Sequence, residues 1–297
     1  CYPTEMETKV ELKTCACKGC RRCIVCENHF DQNQLKHSGN EKQKVQYNLY
    51  KFLFTIQTIN CVCYQGHHLV GFDFPGVSVF QDFISAPEER ELIRINSNRW
   101  KDSQSGRRKQ DYGPKVNFKK KKVKLSSFTG LPKYIDFIVE RIRSLEGLDN
   151  FATVEQCNLE YDPVRGASID PHYDDAWLWG ERLLSLNLLS DSWFTMTTDD
   201  SAKIELTNLK PEIVDIDLTS FKTLDIDSGE FGLNEFEVKV PLCRRSLVML
   251  SGDARYKWKH SIQRKDITSK RLCCTFRELS PEFSSGGTQE HIGRSLL

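Results

Sequence analysis

The chain has 297 residues, with 42 Lys plus Arg against 41 Asp plus Glu and a formal net charge of +1. That length suits one large domain or two modest ones, and 39% hydrophobic with 10% aromatic residues is enough for a core and excludes global disorder. No apolar run reaches the roughly 18 residues a membrane helix needs, so no membrane partner is expected.

Six of the twelve cysteines fall in the first 26 residues: Cys1, Cys15, Cys17, Cys20, Cys23 and Cys26. A disulfide scaffold spreads its cysteines through a small secreted domain. This clustering instead reads as a metal knuckle in a reducing compartment, and the start of the chain shows no secretory signal pattern. Four thiolates make a tetrahedral Zn²⁺ site. Cys23-x-x-Cys26 offers one chelating pair, and Cys15-x-Cys17 or Cys17-x-x-Cys20 offers the other. Residues 31–50 are polar and read as linker.

From Phe72 the pattern changes. Pro75-Gly76 precedes a short strand at Val77–Phe80. Ser85 with Glu88 three residues on forms a capping box, with Pro87 in the first turn of a helix of about three turns. Residues 133–147 repeat apolar positions at helical spacing. Short strands follow at Val154–Tyr161, Leu183–Leu189, Lys203–Leu209, Phe236–Val240, Ser246–Leu250 and Leu272–Leu279. Helices followed by many short strands predict an α+β domain whose sheets form a sandwich or jelly roll.

Charge is segregated. Arg99 to Lys124 holds eleven Lys/Arg and two Asp, a net of +9, and Asp191 to Val240 holds twelve acids and four Lys, a net of −8. The acidic stretch reads as a solvated face or as long loops interrupting the sheet. In the basic stretch, Lys119 to Lys122 with interleaved Tyr112 and Phe118 fits a nucleic-acid track, a docking surface for an acidic protein or a solvated face.

The most informative stretch is Tyr161 to Asp175. In extended backbone, His172 and Asp174 point to one face and can offer an imidazole and a carboxylate to one ion. His260, after the Val248-Met249-Leu250 strand and a Ser-Gly-Asp turn, is the best third ligand. Two His and one carboxylate with open positions form the facial triad of non-haem Fe(II) oxygenases. Arg271 and Arg277, six apart on one strand, share a face and can offer forks to the two carboxylates of 2-oxoglutarate.

His172-x-Asp174…His260 with Arg271-Leu-Cys-Cys-Thr-Phe-Arg277 resembles the AlkB family of Fe(II)/2-oxoglutarate dioxygenases over roughly Phe74 to Phe283. Gln104 to Lys115 and His172 to Glu181 resemble its homologue 4 branch. The resemblance implies a double-stranded β-helix (jelly-roll) core at 151–283. Before it would lie a Cys-rich zinc-binding head at 1–30, a linker at 31–71, and helices with a basic substrate lid at 72–150; a tail would occupy 284–297.

It further implies iron on His172, Asp174 and His260, with 2-oxoglutarate and O₂ as co-substrates. Arg271 would take the distal carboxylate, Arg277 would lie near the keto-acid end, and Tyr161 would touch the co-substrate. The branch's C-x-C then C-x-x-C implies zinc on Cys15, Cys17, Cys23 and Cys26. Arg107, Arg108, Gln110 and Tyr112 would belong to the lid.

Two departures stand out. The family's N-x-Y falls on Leu159-Glu160-Tyr161, keeping only the tyrosine. Nucleobase demethylases of the family often carry an acidic residue two positions after the triad Asp, and Ala176 stands there. The implied reaction is oxidative N-demethylation releasing formaldehyde, succinate and CO₂. The substrate ranked first is a methylated lysine of a protein such as actin, in the actomyosin system of cytoplasm and nucleus. DNA N6-methyladenine comes second, and a catalytically weak binding scaffold third.

Overall fold

The structure, a computed structural model, describes residues 45–46, 59–65, 68–95, 100–125, 128–204, 207–209 and 231–297. The cysteine head, with Cys15, Cys17, Cys23 and Cys26, lies outside the described residues. Strands β1 (Ile59–Gln65) and β2 (His68–Phe74) form a hairpin, so part of the 31–71 stretch read as linker is paired sheet.

Gly76 then turns the chain with φ +93. A Cβ there would lie 2.1 Å from the Ser251 carbonyl oxygen, so no larger residue fits. Strand β3 (Val77–Phe80) follows. The expected capping box opens helix α1 (Ala86–Ile95): the Ser85 N–H donates to Glu88 Oε2 at 2.7 Å, and the Glu88 N–H donates to Ser85 Oγ at 3.4 Å. Next come β4 (Arg108–Tyr112) and a small hairpin of β5 (Lys115–Asn117) and β6 (Lys122–Lys124). Helix α2 spans Asp136–Arg143 after a 3-10 turn, shorter than the periodicity over 133–147 predicts because past Ser144 the chain tightens into turns, Leu145 N–H donating to the Ile142 carbonyl and Leu148 N–H to the Leu145 carbonyl.

The core is β7 (Glu155–Tyr161), β8 (Ile169–His172), β9 (Trp179–Leu188), β10 (Ser192–Thr197), β11 (Phe236–Leu242), β12 (Leu247–Leu250), β13 (Lys259–Ile262) and β14 (Arg271–Leu279), with helix α3 (Gly252–Tyr256) before β13. Seven strands in the order β3-β12-β9-β14-β7-β4 and Lys101–Asp102 make one sheet. Val45–Gln46 with β11-β10-β13-β8 makes a second, of five strands. Two four-stranded antiparallel sets, β12-β9-β14-β7 and β11-β10-β13-β8, thus face each other as a jelly roll. Helix α4 (Glu290–Leu296) closes the chain.

Between β10 and β11 lies the acidic insertion. The predicted strand Lys203–Leu209 is divided there: Lys203–Ile204 pairs with Phe231–Gly232, and Thr207–Leu209 pairs with β2. Different partners pull the two halves into different sheets.

Alternation along the strands of the larger sheet makes two cores. Leu183, Val248 and Cys273 point inward and pack with Phe194, Met196, Val240 and Ile262 of the smaller sheet. Leu184, Leu186, Leu188 and Phe276 point outward and pack against Leu92, Ile138 and Ile142 of the helices. Each such buried aliphatic contributes about 1.5–3 kcal/mol. The sheet is therefore held rigid from behind while its inner face lines a cavity.

Candidate iron and 2-oxoglutarate site

The register of β8 and β13 pairs His172 directly with His260, and the two rings lie 4.3 Å apart between centroids. Asp174, two residues beyond His172, completes a cluster whose ligand atoms all lie within 4.8 Å of one another. His172 Nδ1 sits 2.8 Å from the Asp170 carbonyl oxygen. A carbonyl only accepts, so the proton is on Nδ1 and Nε2 is left bare for a metal. Burial, with His172 beside it, holds His260 down at about 3, so its imidazole is neutral at ordinary pH. Burial pushes the Asp174 carboxyl up, but Arg277 together with His260 and His172 outweighs it and keeps the group ionised, well below the usual carboxylate range. Two neutral imidazoles and one carboxylate are a donor set suited to Fe(II).

The cavity beside this cluster is lined by Leu159, Tyr161, Ile169, Phe194, Cys273 and Thr275. Leu159 and Tyr161 share a face of β7, so Tyr161 is where the sequence placed it. Asn158 points the other way, donating to Gln110 Oε1 at 2.9 Å.

Arg271 and Arg277 share the inner face of β14 as alternation requires, but their surroundings differ. Arg271 is fully buried. Its guanidinium carbon lies 4.9 Å from the Tyr161 ring centroid, its Nε donates to Asn187 Oδ1 at 2.5 Å, and its Nη1 and Nη2 have no hydrogen-bond partner among the described residues. Two buried orphan donors at the edge of a guanidinium fork are a seat for a carboxylate, and a dicarboxylate such as 2-oxoglutarate fits it.

Arg277 donates Nε to Asp174 Oδ2 at 2.8 Å and Nη1 to Glu155 Oε2 at 2.5 Å. Arg277, expected near the keto-acid end of the co-substrate, thus holds two carboxylates of the protein itself. Glu155 and Arg255 escaped sequence reading. Arg255, buried on α3, donates to the Asp174 and Asp175 carbonyls at 2.9 and 3.2 Å and pins the ligand loop. Its place in the short helix just before His260 was the available signal.

The expected lid residues separate. Strand β4 pairs Arg108 with Glu160, Gln110 with Asn158 and Tyr112 with Gln156, so these three side chains lie on the face of the sheet away from the cavity. Arg108 makes a two-pronged pair with Glu160 at 2.6 and 2.7 Å, and Tyr112 packs edge-on against Tyr134. Arg107 is buried on the cavity side, its guanidinium carbon 5.9 Å from the Tyr161 ring centroid. Assigning all four residues to a lid took no account of the alternation of a strand. The element laid over the core is the next one, the β5–β6 hairpin: Val116 and Val123 pack on the inner cluster, while Phe118 is 46% exposed and Lys115, Lys119, Lys120, Lys121, Lys122 and Lys124 face solvent.

A jelly roll with a His–Asp–His cluster and a buried arginine fork defines a mononuclear non-haem iron oxygenase. The chain is 43% identical over 292 residues to the mouse (Mus musculus) alpha-ketoglutarate-dependent dioxygenase alkB homolog 4, covering 96% of this chain and 93% of that protein. It is 43% identical over 294 residues to the human (Homo sapiens) protein of the same name, covering 98% and 94%. It is also 30% identical over 305 residues to a Caenorhabditis elegans DNA N6-methyl adenine demethylase, covering 96% and 94%. No family model matches the chain. The chain belongs to the AlkB family of 2-oxoglutarate-dependent dioxygenases. It is an enzyme, and membership brings Fe(II), 2-oxoglutarate and O₂ as cofactor and co-substrates.

Proposed function

We propose that the chain is an N-demethylase of methylated lysine in a protein, with actin the first protein to test. His172 Nε2, Asp174 Oδ1 and a bare nitrogen of His260 would hold the iron, and Arg271 the distal carboxylate of 2-oxoglutarate. When bound, iron and 2-oxoglutarate would supply the oxidising power by which one oxygen atom of O₂ ends in succinate as CO₂ is lost and the other hydroxylates the N-methyl carbon, whose hemiaminal then breaks its C–N bond to release formaldehyde and the free amine. The chain's own residues do the positioning. Arg277 orients the Asp174 carboxylate, Asp170 fixes the His172 ring, and Leu159, Ile169 and Phe194 keep the cavity apolar and exclude water. The spacing of Cys15, Cys17, Cys23 and Cys26 supports a structural Zn²⁺ in the head.

One observation carries the choice of a protein substrate. Asp175 Oδ1 accepts the Leu178 N–H at 2.9 Å and Ala176 is exposed, so the stretch just after the triad aspartate presents a methyl group and a turn-capping carboxylate where a base amino group would want an acceptor. A second reading, DNA N6-methyladenine, is favoured by the activity for which the C. elegans relative is named and by the lysines of the β5–β6 hairpin. The experiment is formaldehyde release from methyl-lysine peptides and from N6-methyladenine oligonucleotides, with His172→Ala as the control. Release from the peptides alone supports the proposal, and release from the oligonucleotides alone replaces it with the second reading.

A further inference from the structure

We propose that Asn187 is the positioning residue that reserves Arg271 for a dicarboxylate and so sets the oxo-acid specificity of the site. The inference rests on the reading of Arg271 as the carboxylate seat and goes beyond it to a residue on a different strand.

Asn187 is completely buried near the end of β9. Its Nδ2 donates to the carbonyl oxygens of Leu242 at 2.7 Å and Ser190 at 2.8 Å. Both partners only accept, so the amide cannot turn over without facing oxygen against oxygen. Oδ1 is thereby fixed toward β14, where it receives the Arg271 Nε–H. Occupying Nε from one side holds the opposite, two-nitrogen edge of the guanidinium in one direction, and the Tyr161 ring below the plane restrains its tilt. Nη1 and Nη2 are left as a pair of buried donors, the arrangement that matches a carboxylate with two parallel bonds.

The chemistry of the partner matters as much as its direction. Arg108, Arg182, Arg244 and Arg277 are each paired with a carboxylate of the protein, which offsets their charge. Arg271 is held by a neutral amide. Its positive charge therefore remains available to a ligand in a buried setting where a charge interaction is strong. A 2-oxo acid with a second carboxylate satisfies both orphan donors and that charge. A 2-oxo monocarboxylate satisfies neither and would leave the donors buried and unpaired.

Replacing Asn187 by Asp keeps the size and the acceptor toward Arg271 but gives up both Nδ2 bonds to the Leu242 and Ser190 carbonyls and puts a negative charge against Arg271, so a folded Asn187→Asp protein should compete with the ligand. The test uses the full chain loaded with Mn(II), measuring by equilibrium dialysis the binding of 2-oxoglutarate and of 2-oxobutyrate, with the Mn(II) affinity measured alongside. Asn187→Asp is expected to weaken 2-oxoglutarate about 10- to 100-fold, the worth of a hydrogen-bonded charge. Mn(II) affinity and 2-oxobutyrate binding should stay at wild-type values, and in turnover the KM for 2-oxoglutarate should rise more than kcat falls. Asn187→Ser, which releases the pin without adding charge, carries the same test if the Asp variant does not fold, with a smaller rise in KM.

Arg271→Met separates the two layers of the argument. If it abolishes 2-oxoglutarate binding while a folded Asn187→Asp stays within about twofold of wild type, the role of Asn187 is refuted and the seat stands. If Arg271→Met itself binds normally, the seat falls and the inference with it. An Asn187→Asp protein that loses Mn(II) to the same extent as 2-oxoglutarate also overturns the proposal, because Asn187 would then be a general prop of the barrel.

Discussion

Arg277 Nε lies 2.8 Å from Asp174 Oδ2, and the other oxygen, Oδ1, faces His172 Nε2 at 3.7 Å. The guanidinium thus turns one carboxylate oxygen away from the metal position and leaves one to point into it. Glu155 braces the same guanidinium through Nη1. A lysine cannot reach both carboxylates with a fixed fork, so Arg277→Lys should let Asp174 rotate. Loss of such an outer partner typically weakens metal binding or activity about 10- to 100-fold. Calorimetric titration of Mn(II) into the two proteins measures it, and equal affinities would remove Arg277 from this role.

The β5–β6 hairpin touches the core through Val116 and Val123, which face each other across the two strands. Val116→Asp should lift the hairpin, because a carboxylate cannot stay in that apolar contact. The expected cost is about 1–2 kcal/mol of stability, since Val116 is only half buried. The KM for the methylated substrate should rise while that for 2-oxoglutarate, whose proposed seat at Arg271 lies on the inner side of the barrel, stays unchanged. Steady-state kinetics varying each substrate in turn distinguishes this from a general loss of fold, in which both constants would worsen.

Glu88 closes the capping box of α1 and also receives two bonds from Arg141 on α2, at 3.0 and 2.7 Å. The Arg141 hydrogen bonds and the Ser85 N–H hold its carboxyl down at about 2, from an ordinary 4.5. A depressed carboxyl stabilises the folded state above its ordinary value and loses that contribution as pH falls from about 4.5 to about 2. Glu88→Gln should therefore cost about 1 kcal/mol at neutral pH, a cap-sized effect limited by solvent at this partly exposed pair. The gap between variant and wild type, followed by urea unfolding, should close as pH is lowered through that window. A gap constant with pH would show that shape rather than charge matters at this position.

Strands β7, β9, β11, β12 and β14, the capping box and the two-residue spacing of His172 and Asp174 were legible because each is a local pattern of three to ten residues, whereas the short strands β8, β10 and β13 were not. His260 could be nominated from its place after a strand and turn, but its pairing with His172 depends on the β8–β13 register, set by packing across the whole barrel. The shared face of Arg271 and Arg277 followed from strand alternation. Their different tasks did not, because Asn187 comes from β9 and Glu155 from β7, 84 and 122 residues away. Arg108, Gln110 and Tyr112 were misplaced for the converse reason. They were expected in a lid over the substrate, whereas pairing with β7 makes them strand and turns these three side chains to the face away from the cavity. Lys203–Leu209 looked like one strand because its apolar pattern continues across the point where its partners change.

The central claim is that His172, Asp174 and His260 together form one metal centre. Mn(II) tests it most directly, because this hard ion favours the imidazole–carboxylate set over the thiolates of the cysteine head. Titrating Mn(II) into the metal-free chain and into His172→Ala, Asp174→Ala and His260→Ala should show a single site per chain in the wild type and its loss in all three variants, each still folded by circular dichroism. Wild-type stoichiometry and affinity retained in any one of them would contradict the assignment.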